Sequence, residues 1–182
     1  MNHADILELL NNIGKFRKSI NKDYDVKKNV NAKICKSCGG LCCKNCGCHF
    51  SPDDFKKISF EFLKKEIKNG FISIVCVDRE FILQDENVLI LRIRNKGMPI
   101  VDFGYDSAPC ILLTNSGCKL DYEHRPTGAK LLIPSDSFDK YHVRMCNSKY
   151  TIEDCCYEWE PYQNILSELV KYFFNKDFPC SL

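Results

Sequence analysis

Six of the thirteen cysteines in this 182-residue chain lie within fourteen residues. The run begins at Cys35 and ends at Cys48, and His49 follows directly. Thiolates are good ligands for soft and borderline metals, and closely spaced thiols can reach one ion with little loss of loop entropy. The segment is therefore predicted to hold a metal ion or an iron–sulfur cluster.

The spacing within the run indicates a metal without identifying it. Cys35-x2-Cys38 is typical of the first half of a metal knuckle, because two intervening residues let both sulfurs face one centre. The vicinal pair Cys42-Cys43 follows, but no second C-x2-C comes at the zinc-ribbon distance. The spacing also matches neither of the common ferredoxin patterns. Glycines between the cysteines, which tolerate positive φ, would let the backbone wrap tightly around the centre.

Disulfide bonds are the alternative explanation for so many cysteines. The N-terminal sequence MNHADILELLNNIGKF lacks the basic start and apolar run of a signal peptide. A cytoplasmic location is therefore expected, and clustered cysteines in a reducing compartment are more often metal ligands or catalytic groups. The odd number of cysteines also prevents complete pairing within one chain.

Charge and hydropathy narrow the range of partners. The chain has 26 basic and 24 acidic side chains, with a net charge of +2, which gives no electrostatic case for nucleic acid or a membrane surface. No window approaches the roughly 18 apolar residues of a membrane span. The metal is therefore the one partner that the sequence predicts, and a protein partner or substrate remains unknown.

Helix and strand signals predict a single α+β domain over residues 1–182. Residues 1–33 are expected to form an N-terminal helix and loop, residues 35–146 the cysteine-cluster core with short antiparallel strands, and residues 151–175 a C-terminal helix. Helix starts are predicted at three capping residues, and strands at β-branched runs beginning at residue 71. The predicted caps are Ser51, Ser59 and Thr151.

Further cysteines lie downstream of the cluster. Cys110 and Cys118 flank a hairpin predicted around Asn115-Ser116-Gly117, whose ends come close together, so both thiols could face one site. Cys146 is a third downstream candidate. We expect the remaining inner cysteines to be buried in the core as small apolar residues. These cysteines are Cys76, Cys155 and Cys156.

Two segments together are similar to a known family. CKSCGGLCCKNCGCHFSPDDF, followed by PCILLTNSGCKLDYEHRPTGAKLLIP, resembles the YkgJ-like CxxCxxCC cysteine-cluster family, described as a zinc- or iron-chelating domain. The resemblance covers about residues 35–146 and implies a metal-binding function. The ligands that it implies in the first block are Cys35, Cys38, Cys42 and Cys43. Cys110, Cys118 and the Arg125-Pro126 turn match the second block.

The chain departs from this family pattern at one position. Many members have a cysteine shortly after the Arg-Pro turn, where this chain has Ala129. Cys146, Cys46 or Cys48 could replace that ligand, and ligation by His49 is left open. The candidate metal ligands are Cys35, Cys38, Cys42, Cys43, Cys110 and Cys118, with Cys146, Cys46 and Cys48 in reserve.

Three functions remain open from the sequence. The first is a cytosolic protein whose thiolates hold an iron–sulfur cluster or iron, with a redox or modification role. The second is a structural or storage zinc module, and the third is a metal-dependent enzyme that modifies protein or peptide side chains. An enzyme would need a cleft beside Cys110 and Cys118, lined by Arg92, Arg94 or His124. No catalytic residue is assigned, and both arginines are expected on the solvent side of a half-buried strand.

Overall fold

The computed structural model of the chain describes residues 40–78, 87–103, 107–115, 117–133 and 146–174. The predicted helix over residues 1–33, the candidate ligands Cys35 and Cys38, and the side chain of Cys42 lie outside this description. The described chain contains both helices and short strands in small sheets, which confirms the predicted α+β fold class. The helices are α1 (Leu41–Asn45), α2 (Phe60–Lys68), α3 (Thr127–Lys130), α4 (Ile152–Trp159) and α5 (Gln163–Phe174). The strands are β1 (Ile72–Val77), β2 (Val88–Ile93), β3 (Val101–Asp102), β4 (Leu113–Thr114), β5 (Gly117–Cys118), β6 (Leu132–Ile133) and β7 (Asn147–Ser148).

The main sheet has three strands in the order β2-β1-β3. β1 pairs antiparallel with β2, from Ile72 opposite Ile93 to Val77 opposite Val88, and parallel with β3. Every residue of β1 and β2 is buried, because helices α4 and α5 pack against β2 while α2 packs against β1 and α5. β-Branched and leucine side chains on both faces suit a strand that is covered on both sides.

The prediction that β2 is half-exposed is wrong. The end of the cysteine loop, which we define as residues 40–50, continues the sheet beyond β2. The Phe50 amide donates to the Leu91 carbonyl at 2.9 Å, and the Ile93 amide donates to the Cys48 carbonyl at 2.9 Å. Arg92 is consequently fully buried, where it forms an ion pair with Asp102 of β3 at 2.5 Å. Arg94 is partly buried rather than on an open face.

The predicted helix starts are confirmed. Ser51 and Thr151 each form a capping box, before the 3-10 turn Pro52–Asp54 and before α4 respectively. Ser59 occupies the N-cap position of α2, although its side chain forms no capping hydrogen bond. The last residue of α2 is Lys68, and Gly70, two residues later, has a φ of 80°. No helix in the described ranges is long and apolar enough to cross a membrane.

The core joins the cysteine loop to α4. Phe50 and Trp159 are fully buried, and the Trp159 indole donates to the Phe50 carbonyl at 2.7 Å. Cys155 and Cys156 are buried in the same cluster, and Cys76 lies in the core on β1, as predicted. The end of the cysteine run is thus fixed by the largest apolar cluster of the described chain.

Candidate metal centre

Two thiols flank the hairpin β4–β5: Cys110 precedes β4, and Cys118 lies in β5. The Leu120 amide donates to Cys118 Sγ at 3.4 Å, and the Leu113 amide donates to the Cys110 carbonyl at 3.0 Å. Amide donors favour the charged form of a sulfur and tune metal-bound thiolates. The predicted hairpin is present: β4 pairs antiparallel with β5, with Cys118 opposite Leu113.

Burial and neighbouring thiols oppose the ionisation of Cys110 in the absence of a cation. Burial and the charges of Cys118 and Cys46 together raise the pKa of the Cys110 thiol to about 11, against the lowering effect of the Leu112 and Leu113 backbone. Cys46 and Cys118 are therefore both within electrostatic range of Cys110. A metal cation near these thiols would replace this repulsion with attraction and favour the thiolate form of Cys110.

Main-chain hydrogen bonds join the two halves of the cysteine pattern. The Cys110 amide donates to the Cys43 carbonyl at 2.7 Å, which connects the hairpin to α1. Cys43 itself is half-buried and packs against the core. Gly40, just before α1, has a φ of 76°, as expected for a glycine that lets the loop wrap tightly.

Asn95 holds the loop between Cys46 and Cys48. Its side-chain oxygen accepts the Gly47 amide at 2.7 Å, and its main chain pairs with Cys110. Gly47 is needed for close approach rather than for positive φ, because an added Cβ would lie 1.9 Å from the Ile93 carbonyl oxygen.

The residues that follow the Arg125-Pro126 turn form hydrogen bonds to the end of the cysteine loop and to the residues just after it. The Gly128 amide donates to the His49 carbonyl at 3.0 Å, and the amide and hydroxyl of Thr127 donate to the buried carboxylate of Asp54, each at 2.8 Å. Arg125 Nε donates to the carbonyl of Leu120, two residues after Cys118. The turn that resembles the family motif thus connects the cysteine loop to the hairpin.

A cavity of about 320 Å³ borders the cysteine loop. It lies between that loop and the chain near β6, β7 and the start of α4. Burial and the charge of Arg92 lower the pKa of His49 to about 4, so its imidazole is neutral at pH 7. The residues that line the cavity include Cys46, Cys48, His49, Leu132 and Tyr150.

The structure does not bring all of the candidate ligands and cleft residues together in one site. Among the described residues, no group of three or more His, Cys, Asp or Glu side chains has an arrangement that could hold a metal. Cys146 precedes β7 and is half-buried, while Ala129 lies in α3. His124 is paired with Asp121 at 2.7 Å, and the fully buried Arg92 cannot line an open cleft.

Sequence reasoning missed the residues that position the cysteines. Asn95, Asp54 and Thr127 carry no metal-ligand signature, and their partners are 48 to 73 residues away in the chain. One signal was available for Gly47, because a glycine between two cysteines is consistent with close backbone packing.

The chain matches no protein-family model, no curated protein and no solved structure. The resemblance to the YkgJ-like family therefore stays a prediction.

Proposed function

We propose that this protein binds a metal through cysteine thiolates supplied by the cysteine loop and the β4–β5 hairpin. The observation that carries the proposal is the environment of two thiols: Cys118 Sγ accepts the Leu120 amide at 3.4 Å, and the backbone of Leu112 and Leu113 lowers the pKa of the Cys110 thiol against the effect of its burial. The direct hydrogen bond from the Cys110 amide to the Cys43 carbonyl supports it, because it brings the second half of the pattern to the first.

The residues that would hold the metal come from both halves. The structure describes three of these proposed ligands, which are Cys43, Cys110 and Cys118. Cys46, whose charge acts on the Cys110 thiol, is a reserve ligand. The sequence adds Cys35, Cys38 and Cys42. The bound metal would stabilise the thiolate charges, and an iron–sulfur cluster would supply electron transfer. The role of the protein is to orient the sulfurs and surround them with amide donors and apolar side chains.

An iron–sulfur cluster or iron is the first candidate. Amide hydrogen bonds to sulfur are one means by which proteins set the reduction potential of such centres. The number of thiols in the chain also suits a cluster with additional sulfurs around it.

Structural zinc is the second candidate, and one observation favours it. Strands β4 and β5 have two residues each, and a short hairpin is marginally stable by itself in water. A metal bound to Cys110 and Cys118 would cross-link its two ends, and structural zinc contributes directly to folding. A function as an enzyme acting on protein or peptide side chains remains the third proposal, without an assigned catalytic residue.

The test is purification under anaerobic conditions without added metal, followed by metal analysis, acid-labile sulfide assay and a visible spectrum. Iron with sulfide and absorption at about 400 nm is expected for a cluster. Colourless protein with stoichiometric zinc would establish the second candidate, because zinc is d10 and has no visible transitions. Protein that contains no metal and takes up neither ion under reducing conditions would contradict the proposal.

A further inference from the structure

The charged side chains of the helices are unevenly distributed. The chain from residue 56 to residue 68, which includes α2, carries five lysines and two glutamates, one of which is buried. The chain from residue 151 to residue 163, which includes α4, carries four acidic side chains and no basic one. The protein thus has one basic and one acidic helical segment, although the net charge of the whole chain is only +2.

The exposed side of α2 combines lysines with aromatic rings. The Phe60 and Tyr172 rings meet edge to face, with their centroids 6.0 Å apart. Lys64 Nζ lies 4.8 Å from the Phe60 centroid and 5.3 Å from the Tyr172 centroid. Lys68 Nζ lies 5.1 Å from the Tyr172 centroid. We define this surface, together with the exposed Lys65, as the basic face.

Acidic side chains offset only part of this charge. Along α5, α2 and the turn before α2, six lysines accompany two exposed glutamates, Glu61 and Glu168. Glu61 pairs with Lys64 at 2.6 Å. Lys68 is exposed, and Tyr172 beside it is 47% exposed. The basic face therefore presents an excess of positive charge and an aromatic ring to solvent, which suits a partner that carries carboxylates and an aromatic side chain.

The exposed side of α4 has this complementary chemistry. Tyr157 is 62% exposed, more than any other large hydrophobic side chain that the structure describes. Glu153 lies four residues before Tyr157 and Glu160 three residues after it, so the three side chains share one face of the helix. Cys156 and Trp159 are buried in the core on the other side. We define Glu153, Tyr157 and Glu160 as the acidic face.

We propose that the basic face of one copy of this chain binds the acidic face of a second copy. Lysine ammonium groups pair with the carboxylates of Glu153 and Glu160, and Tyr157 packs against the aromatic rings of the basic face. Opposite charges across the contact speed association and disfavour the pairing of like faces. Because the two faces differ, the contact is heterologous, and each copy keeps one face for a further copy. The inference does not depend on the proposed metal centre.

The experiment is sedimentation velocity of the full-length protein under reducing conditions, which exclude disulfides between copies. The wild type is expected to associate at about 50 mM salt, and at least about tenfold more weakly at about 500 mM, because salt screens the charges. The double variant Lys65→Glu with Lys68→Glu is expected to be monomeric, and so is Glu153→Lys with Glu160→Lys. All four side chains are exposed, and circular dichroism verifies that both variants fold.

A mixture of the two double variants tests the pairing of these particular faces. Each variant keeps one native face, and its reversed face complements the reversed face of the other, so association should return in the mixture. The control is Lys96→Glu with Lys149→Glu, which reverses two exposed lysines outside both faces and should associate as the wild type does.

Four results would overturn the proposal. One is a wild type that stays monomeric at about 200 µM protein and low salt, where even a contact of micromolar affinity is populated. The others are association that both reversals leave unchanged, a mixture that remains monomeric, and a control that loses association as fully as the variants of the two faces.

Discussion

Two parts of the molecule are built in different ways. The sheet region, formed by β1–β3 with α2, α4 and α5, is covered on both faces and packed with fully buried leucine, isoleucine and tryptophan side chains. The cysteine region, formed by residues 40–50 and 107–133, has strands of two residues, short helical turns and half-buried thiols. Apolar burial therefore dominates the stability of the sheet region. The cysteine region contributes fewer side chains to the same core, among them Phe50, Leu112 and Leu120, and adds specific polar contacts.

This difference indicates which region the proposed metal would stabilise. Fully burying one leucine or isoleucine side chain stabilises a fold by about 1.5–3 kcal/mol, so the sheet region has an adequate core of its own. The cysteine region is held to it by Asn95, by Asp54 with Thr127 and by the strand-like pairing of Cys48 and Phe50 with β2. We expect metal removal to loosen the cysteine region while the sheet region stays folded.

The largest expected effect is in the sheet region. Asp102→Ala would leave Arg92 buried without its carboxylate, and breaking a buried ion pair costs about 3–5 kcal/mol of unfolding free energy. Urea unfolding would measure the loss, which should be equal with and without a metal chelator. The double variant Arg92→Met with Asp102→Leu should recover much of it. A loss below about 1 kcal/mol would show that the pair is not essential to the sheet.

The junction between the regions is tested by Gly47→Ala. The new Cβ would lie 1.9 Å from the Ile93 carbonyl oxygen, so the loop must move away from β2. We expect a cost of about 1–3 kcal/mol together with reduced metal content, measured by urea unfolding and metal analysis. Gly97→Ala is the control, because its Cβ meets no atom within 4 Å although its φ is 79°. The control should lose stability from backbone strain and retain its metal; equal metal loss in both variants would contradict the role of Gly47.

The pH dependence of stability tests the environment of His49. Its pKa is about 4 in the folded protein and about 6.5 in the unfolded chain, so the unfolded state binds more protons between these values. Unfolding free energy should therefore fall as the pH drops from 7 to 5, by on the order of 1–2 kcal/mol. Urea unfolding of metal-free protein, compared with His49→Gln, isolates this contribution. Identical pH profiles for the two proteins would show that His49 is not held neutral.

The smallest predicted effect concerns the cap of α4. The Thr151 hydroxyl accepts the Asp154 amide at 3.1 Å, and loss of such a cap costs about 1 kcal/mol. Thr151→Ala should lower the melting temperature by about 2–4 °C, while Thr151→Ser should match the wild type. Metal content should be unchanged, because α4 belongs to the sheet region. Reduced metal content in Thr151→Ala would mean that the two regions are more strongly coupled than their contacts indicate.

Local sequence signals predicted the local structure well. The caps at Ser51 and Thr151, strand β1 and the hairpin around Gly117 depend on neighbouring residues, and all are present. The buried state of Arg92 was missed because it depends on the pairing of Cys48 and Phe50 with β2, which brings together residues more than 40 positions apart. Residue types identified the cysteines as candidate ligands, but their positioning by Asn95 and Asp54 is likewise a property of tertiary structure.

The most direct test of the thiolate centre is the metal content of three variants purified anaerobically beside the wild type. Cys110→Ser and Cys118→Ser remove the thiols that flank the hairpin, and Cys156→Ala removes a buried thiol in α4 whose pKa burial raises to about 12. We predict that the first two lose most of their metal and that Cys156→Ala retains it while remaining folded. Wild-type metal content in both Cys110→Ser and Cys118→Ser would contradict a metal centre at the hairpin.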